Sequence, residues 1–440
     1  MFRNILLASA VAIGAAAGAV CSALAQAPAP AAPAAPKQPS RGEYVARASD
    51  CVACHSAPGG PAFGGGLAMG SPLGTIYATN ITPDPEFGIG RYTLEDFDRA
   101  VRLGIAKDGH RLYPAMPYPS YSKMTDEDVR DLYAFFMKEV PPSQKPNRPN
   151  DIPAYLSFRW PMAVWNAVFA DDKHFQPKAD QSAEWNRGAY LVEGLGHCGA
   201  CHTPRGMAFQ EKALDSSSSA FLSGAELDQW WAPSLRGEAR TGLGAWSKDD
   251  LVAFLKTGHN KFGAAFGSMT DVINNSTPYL TDADLQAMAT YIKSLPANGN
   301  EPAHTYDSAA TDALKSGKPP NRGAAIYAAN CSSCHGLDGK GLGASMPPLA
   351  GNPTTMDANP ASLINLVLNG AQPLVVAGVP SAYRMPQYRV QLDDGEVADV
   401  LSFVRDAWGN HAGPVSAADV TKARQATDPT SDKVVILKMR

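Results

Sequence analysis

Three times along this chain, apolar residues recur at helical spacing behind a polar cap. Val129, Leu132, Tyr133 and Phe136 follow Thr125-Asp-Glu-Asp128. Leu285, Met288, Tyr291 and Ile292 follow Thr281-Asp-Ala-Asp284, and Val397, Val400, Leu401 and Val404 follow Asp393-Asp-Gly-Glu396. A Thr or Asp oxygen accepts from the backbone two or three residues on, so each pattern predicts an amphipathic helix with a fixed start. Upstream of each lies a shorter helix start: Arg41-Gly42-Glu43-Tyr44, then Asn186-Arg187-Gly188-Ala189-Tyr190, then Asn321-Arg322-Gly323 with Tyr327. The glycine in each permits close backbone approach. A further stretch occurs twice, Gly88-Ile-Gly-Arg-Tyr92 onward to Gly104 and Gly242-Leu-Gly-Ala-Trp246 onward to Gly258, at the same separation. The chain therefore reads as all-α, three tandem repeats with loop-rich connections, the first two duplicated and the third divergent.

Pro-rich breaks separate the repeats. They place domains at 41–145, 181–297 and 321–410, linkers at 26–40, 146–180 and 298–320, and a tail at 411–440. Trp160, Trp165, Phe169 and Phe175 enrich the first linker in aromatics, either as extra core or as a docking surface. Residues 1–25 read as an export signal: basic Met1-Phe-Arg-Asn, an apolar stretch from Ile5, and a small-x-small site at Ala23-Leu-Ala25. No later stretch approaches the ~18 apolar residues that span a bilayer. The mature chain is expected on the periplasmic side of the bacterial inner membrane, in peripheral contact with it. At the far end, Val434-Val-Ile-Leu437 is too short to anchor it.

Hydrophobic residues make up 45% of the chain, which excludes disorder over most of it. Thirty-eight Lys+Arg face 42 Asp+Glu without a long basic run, so nucleic acid is not an expected partner. Of seven cysteines, Cys21 leaves with the signal. The others form Cys51-Val-Ala-Cys54-His55, Cys198-Gly-Ala-Cys201-His202 and Cys331-Ser-Ser-Cys334-His335. C-x-x-C-H is the attachment sequence of c-type haem: two thiols add to the vinyl groups and the next His ligates iron. A redox disulfide or half a zinc site needs no His at that position, still less three times. Three covalently bound haem c groups are expected.

Each iron then needs a second axial donor between its His and its closing helix. Met116 in Pro114-Ala-Met-Pro-Tyr118, Met269 in Phe266-Gly-Ser-Met and Met385 in Tyr383-Arg-Met-Pro386 are the candidates, all expected in loops. Thioether ligation favours ferrous iron. His110 and His259 are the rivals; Met124, Met137 and Met288 read as core, and Met69, Met207 and Met346 follow their motifs too closely. Tyr92 and Trp246 are either haem-propionate donors or core. With every iron filled, no position is open to peroxide or nitrite, so electron transfer is favoured over catalysis at haem. A dihaem-peroxidase-like enzyme would need one iron lacking its Met; a multihaem electron shuttle is the other alternative.

First helix with the haem site, last helix packed across it at a Gly, is the class I cytochrome c pattern. The motifs together, with Thr79-Asn-Ile-Thr-Pro-Asp84 and Gly104-Ile-Ala-Lys-Asp-Gly-His110, resemble the triheme cytochrome c subunits of membrane-associated bacterial dehydrogenases acting on alcohol, gluconate, sorbitol, fructose and glucose. The resemblance spans roughly 40–410. It implies a non-catalytic subunit: a separate catalytic chain carrying flavin, pyrroloquinoline quinone or molybdopterin oxidises the substrate, and electrons pass through three haems to ubiquinone. By position, the six motif cysteines, three motif histidines and three methionines match the family's haem-binding residues. The divergent third repeat is expected to receive the electrons.

Overall fold

Three helix pairs organise the chain, and each crosses at a glycine. The computed structural model describes residues 38–170, 173–227, 229–343 and 346–430; the export signal expected at 1–25, most of the 26–40 lead-in and the 434–440 end lie outside them. Arg41–Ala48 packs against Asp126–Lys138, Ala183–Ala189 against Asp282–Lys293, and Arg322–Asn330 against Asp394–Asp406. A Cβ at Gly42, Gly188 or Gly323 would stand 2.1, 1.9 or 2.0 Å from the carbonyl oxygen of Asp131, Ala287 or Asp399. Only hydrogen fits there. The closing helices start where the caps require: Thr125, Thr281 and Asp393 accept from the N–H of Asp128, Asp284 and Glu396. Each such cap is worth about 1 kcal/mol.

The shorter helices must deliver the cysteines at one height despite unequal spacing. Cys51 follows Gly42 by nine residues, Cys198 follows Gly188 by ten, and Cys331 follows Gly323 by eight. In the second repeat the α-helix continues as a π-helix, Tyr190–Leu195, which takes up extra chain without ending the helix. In the first two repeats a left-handed residue then turns the chain into the motif, Asp50 (φ 47°) and His197 (φ 38°). The third runs directly into Cys331 with right-handed backbone.

The duplicated stretch forms Leu94–Leu103 and Lys248–Thr257, both with a full capping box and both ending at a left-handed glycine, Gly104 and Gly258. The third repeat substitutes Ala361–Asn369, which starts behind Pro360 and ends at Gly370. The chain is mostly helical, but the all-α expectation needs amending: four two-stranded antiparallel hairpins are present among the described residues, such as Ala68–Ser71 with Gly74–Tyr77. They are turn-rich excursions around the motifs, too short for a period-2 pattern to announce.

The described residues from Pro39 onward cluster as one unit, with two hydrophobic cores inside it. One is continuous through the first two repeats, running from Val45 and Phe136 to Leu191 and Tyr291. The third repeat has its own, centred on Tyr327, Leu401 and Trp408. It sits on the second through Trp231, whose N–H meets Ser362 Oγ at 2.8 Å and whose indole N–H meets Asp357 Oδ2 at 2.6 Å. The aromatic linker divides between its two expectations. In the helix Trp160–Phe169, Trp165 is buried and donates to the Ala208 carbonyl, while Trp160, Val164 and Val168 stand exposed. Within the expected tail, Ala417–Ala426 is a helix, held to the closing helix by Arg424 and Asp394 at 2.6 Å. No helix among the described residues is long and apolar enough to cross a membrane.

Candidate metal centres

Each motif occupies a single helical turn: Cys51–Cys54 with His55 as its C-cap, then Gly199–His202 behind Cys198, then Ser332–His335 behind Cys331. At that spacing the first cysteine and the histidine share a face with the second cysteine beside them. None of the six motif cysteines is joined in a disulfide. Burial pushes the first thiol of each pair up, Cys51 and Cys198 to about 12 and Cys331 to about 11, with the second cysteine of the pair adding to the shift.

The histidines are oriented alike. Nδ1 lies 2.7 Å from the Thr79 carbonyl in His55, 2.7 Å from the Pro233 carbonyl in His202 and 3.0 Å from the Pro347 carbonyl in His335. A carbonyl only accepts, so Nδ1 carries the proton and Nε2 keeps its lone pair for a metal. Burial lowers the pKa of each ring, with the carbonyl bond opposing it, so the imidazoles are held neutral. Sequence reasoning missed these carbonyls because a backbone acceptor has no residue signature. The one available signal was prolines at or beside the acceptor positions in the second and third repeats.

The methionines are placed differently from one another. Met116 sits in a turn, its N–H toward Tyr113 O at 3.3 Å and its carbonyl accepting from Tyr118 at 2.8 Å. Met385 lies in extended chain, its carbonyl accepting from Ala371 at 3.0 Å. Met269 is not in a loop as expected: it opens the helix Met269–Asn275. All three are half-buried, Met116 and Met269 against the shared core and Met385 against the third repeat's. Of the rivals, His110 lies in an exposed turn with Nδ1 2.5 Å from Asp108 Oδ1, and His259 pairs with Ala264 in a hairpin. Met124 and Met288 are core, as expected.

A cavity of about 1160 Å³ receives Cys54 from the first motif and Cys198, Cys201, His202 and Met269 from the second. It exceeds the ~300–1,000 Å³ of ordinary ligand pockets. Trp246 lines it, stacked on Phe262, and its buried indole N–H has no protein partner. An orphaned donor of this kind costs ~1–3 kcal/mol unless something in the cavity accepts from it. The donor set therefore fits haem: paired thiols, a neutral Nε2, a thioether and a donor suited to a propionate. The Tyr92 hydroxyl accepts from Lys107 N–H at 3.4 Å, which leaves its own O–H to donate. Glu211 lines the same cavity; burial pushes its carboxyl up to about 7 against the pull of Arg205 and Lys123.

Compared with known proteins, the chain matches the family described as Cytochrome c over residues 39–139, 186–296 and 320–408. It is 51% identical to the cytochrome c subunit of a quinone alcohol dehydrogenase from Gluconacetobacter polyoxogenes, over 89% of this chain and 85% of that one. It is 50% identical to the cytochrome c subunit of gluconate 2-dehydrogenase from Pantoea cypripedii, over 88% and 89%. A fructose dehydrogenase cytochrome subunit from Gluconobacter japonicus is 40% identical, over 88% and 82%.

Proposed function

The chain belongs to the cytochrome c family, and from that premise we propose that it is the triheme electron-transfer subunit of a quinone-dependent alcohol or sugar dehydrogenase. Three tandem class I domains hold haem c covalently at Cys51 and Cys54, Cys198 and Cys201, and Cys331 and Cys334. His55 with Met116, His202 with Met269 and His335 with Met385 would hold the three irons. A catalytic subunit of the flavin, pyrroloquinoline quinone or molybdopterin type supplies electrons, and ubiquinone takes them. The chain is exported and works at the periplasmic face of the inner membrane, in peripheral contact with it.

The observation that carries this reading is the threefold recurrence of one arrangement: two cysteines on one turn, outside any disulfide, and an imidazole whose Nδ1 is tied to a backbone carbonyl. Haem, when bound, supplies a one-electron ferric/ferrous couple. The protein's part is to fix ring orientation, exclude water and set the potential through the axial donor. Intact mass of the periplasmic form tests the stoichiometry: three haems on a chain starting near Gln26. Any other count would refute it. Ubiquinone reduction by the purified complex with its catalytic partner tests the route.

A further inference from the structure

The first two repeats meet through a reciprocal contact built from the same repeat positions on each side. Within the first, Arg41 Nη2 is 2.5 Å from Asp128 Oδ1; within the second, Arg187 grips Asp284 bidentately at 2.8 and 2.7 Å. The tyrosine two residues after each crossing glycine then reaches into the other repeat. Tyr44 donates to Asp284 Oδ2 at 2.5 Å and Tyr190 donates to Asp128 Oδ2 at 2.5 Å. Each hydroxyl also accepts from the cap N–H of the helix it reaches, Thr281 for Tyr44 and Thr125 for Tyr190, both at 3.2 Å. Each carboxylate is thus held by an arginine of its own repeat and a tyrosine of its neighbour.

Further contacts cross nearby. Lys123, half-buried, and Glu193, buried, pair at 2.8 Å, and the Arg47 guanidinium lies 4.2 Å over the Tyr279 ring. The third repeat keeps the intra-repeat ion pair, Arg322 with Glu396 at 3.2 Å, but has an exposed alanine, Ala325, at the tyrosine position. The tyrosine is therefore not required to build a repeat. It occurs only where two repeats are joined around one cavity that takes cysteines from both motifs.

We propose that Tyr44 and Tyr190 are positioning residues that lock the haem sites at 51–55 and 198–202 into one electron-exchange unit. The proposal rests on the triheme reading above. Exchange between the sites moves one electron: one iron goes from ferrous to ferric as the other goes from ferric to ferrous, with no proton or co-reactant. Its rate falls steeply with separation, so a hydrogen bond that suppresses opening of the pair also sustains exchange.

The test uses the full-length haem-loaded chain with Tyr44→Phe, Tyr190→Phe and both together, which keep the rings and remove only the hydroxyls. Each lost hydroxyl bonded to a charged carboxylate should raise the opened population by about tenfold. Limited proteolysis within 141–182 should accelerate accordingly. Magnetic interaction between the first two ferric haems should weaken, and exchange between them after rapid partial reduction should slow, most in the double variant. The third haem's potential should not move. Val45→Ala, which opens a core cavity and leaves both hydroxyls in place, controls for lost stability alone. Should the double variant fail to accumulate, Tyr44→Phe alone carries the same readouts. Unchanged exchange and magnetic interaction, whether or not nicking accelerates, would overturn the proposal. A haem count other than three in the unaltered chain would instead overturn the reading on which it rests.

Discussion

At the scale of single residues, the haem-attachment motif is legible because it is written in side chains. C-x-x-C-H fixes thiols and imidazole in one turn, and few other sites need all three. What orients the imidazole was not legible, because the Thr79, Pro233 and Pro347 acceptors are main-chain atoms. Met269 is a candidate by its distance from the motif, and because it starts a helix no proline is needed to hold its backbone as at Met116 and Met385. Met269→Ala should open a high-spin site in the second repeat and remove one thioether-to-iron band. An unchanged ferric spectrum would assign that iron to another donor such as His259. Trp246→Phe keeps the stack on Phe262 and removes the orphaned N–H. With a propionate left more negative, the second haem's midpoint should fall while the other two stay fixed, as a potentiometric titration can show. No shift would leave Trp246 as core alone.

Among the elements, capped helices were the readable part. Cap and apolar spacing agree in Leu94–Leu103, Lys248–Thr257 and the three closing helices, and the first two also end at a glycine, so local and tertiary preferences coincide. The hairpins and the π-helix were not readable, since two-residue strands carry no periodicity and a π-turn has the composition of any helix. The linker helix Trp160–Phe169 was seen only as an aromatic stretch, because it lacks a polar cap and a charged face. Where helices cross, the glycines make a quantitative case. Gly188→Ala drives a methyl to 1.9 Å from Ala287 O, and the neighbour is backbone, which cannot swing aside. Prying the helices apart should cost ~1–3 kcal/mol, the range for overpacked cores. Chemical denaturation should show that loss with an unchanged m-value, whereas Gly299→Ala, with open space around it, should be near neutral.

For the molecule as a whole, the sequence reads as three tandem repeats, the first two duplicated and the third divergent, and the hydrophobic cores divide the chain as two plus one. A core shared across the first two repeats couples their unfolding, and the third has apolar contacts enough to melt separately. Calorimetry should resolve two transitions, the larger enthalpy belonging to residues of the first two repeats; a single transition would deny the division. The third repeat is also expected to receive electrons from the catalytic partner. Met385→His should lower its potential and slow substrate-driven reduction, leaving quinone oxidation of the other two normal. Impaired quinone reduction with normal substrate-driven reduction would reverse that order. The reciprocal tyrosine contact bears on why the repeats number three. It is isologous: each partner offers the other the same patch, and two copies satisfy it completely. An added copy can join only heterologously, as the third does through Trp231, Ser362 and Asp357. Two repeats alone would form a near-palindrome with interchangeable ends. The odd repeat breaks that palindrome, and a relay whose ends differ can tell its donor from its acceptor.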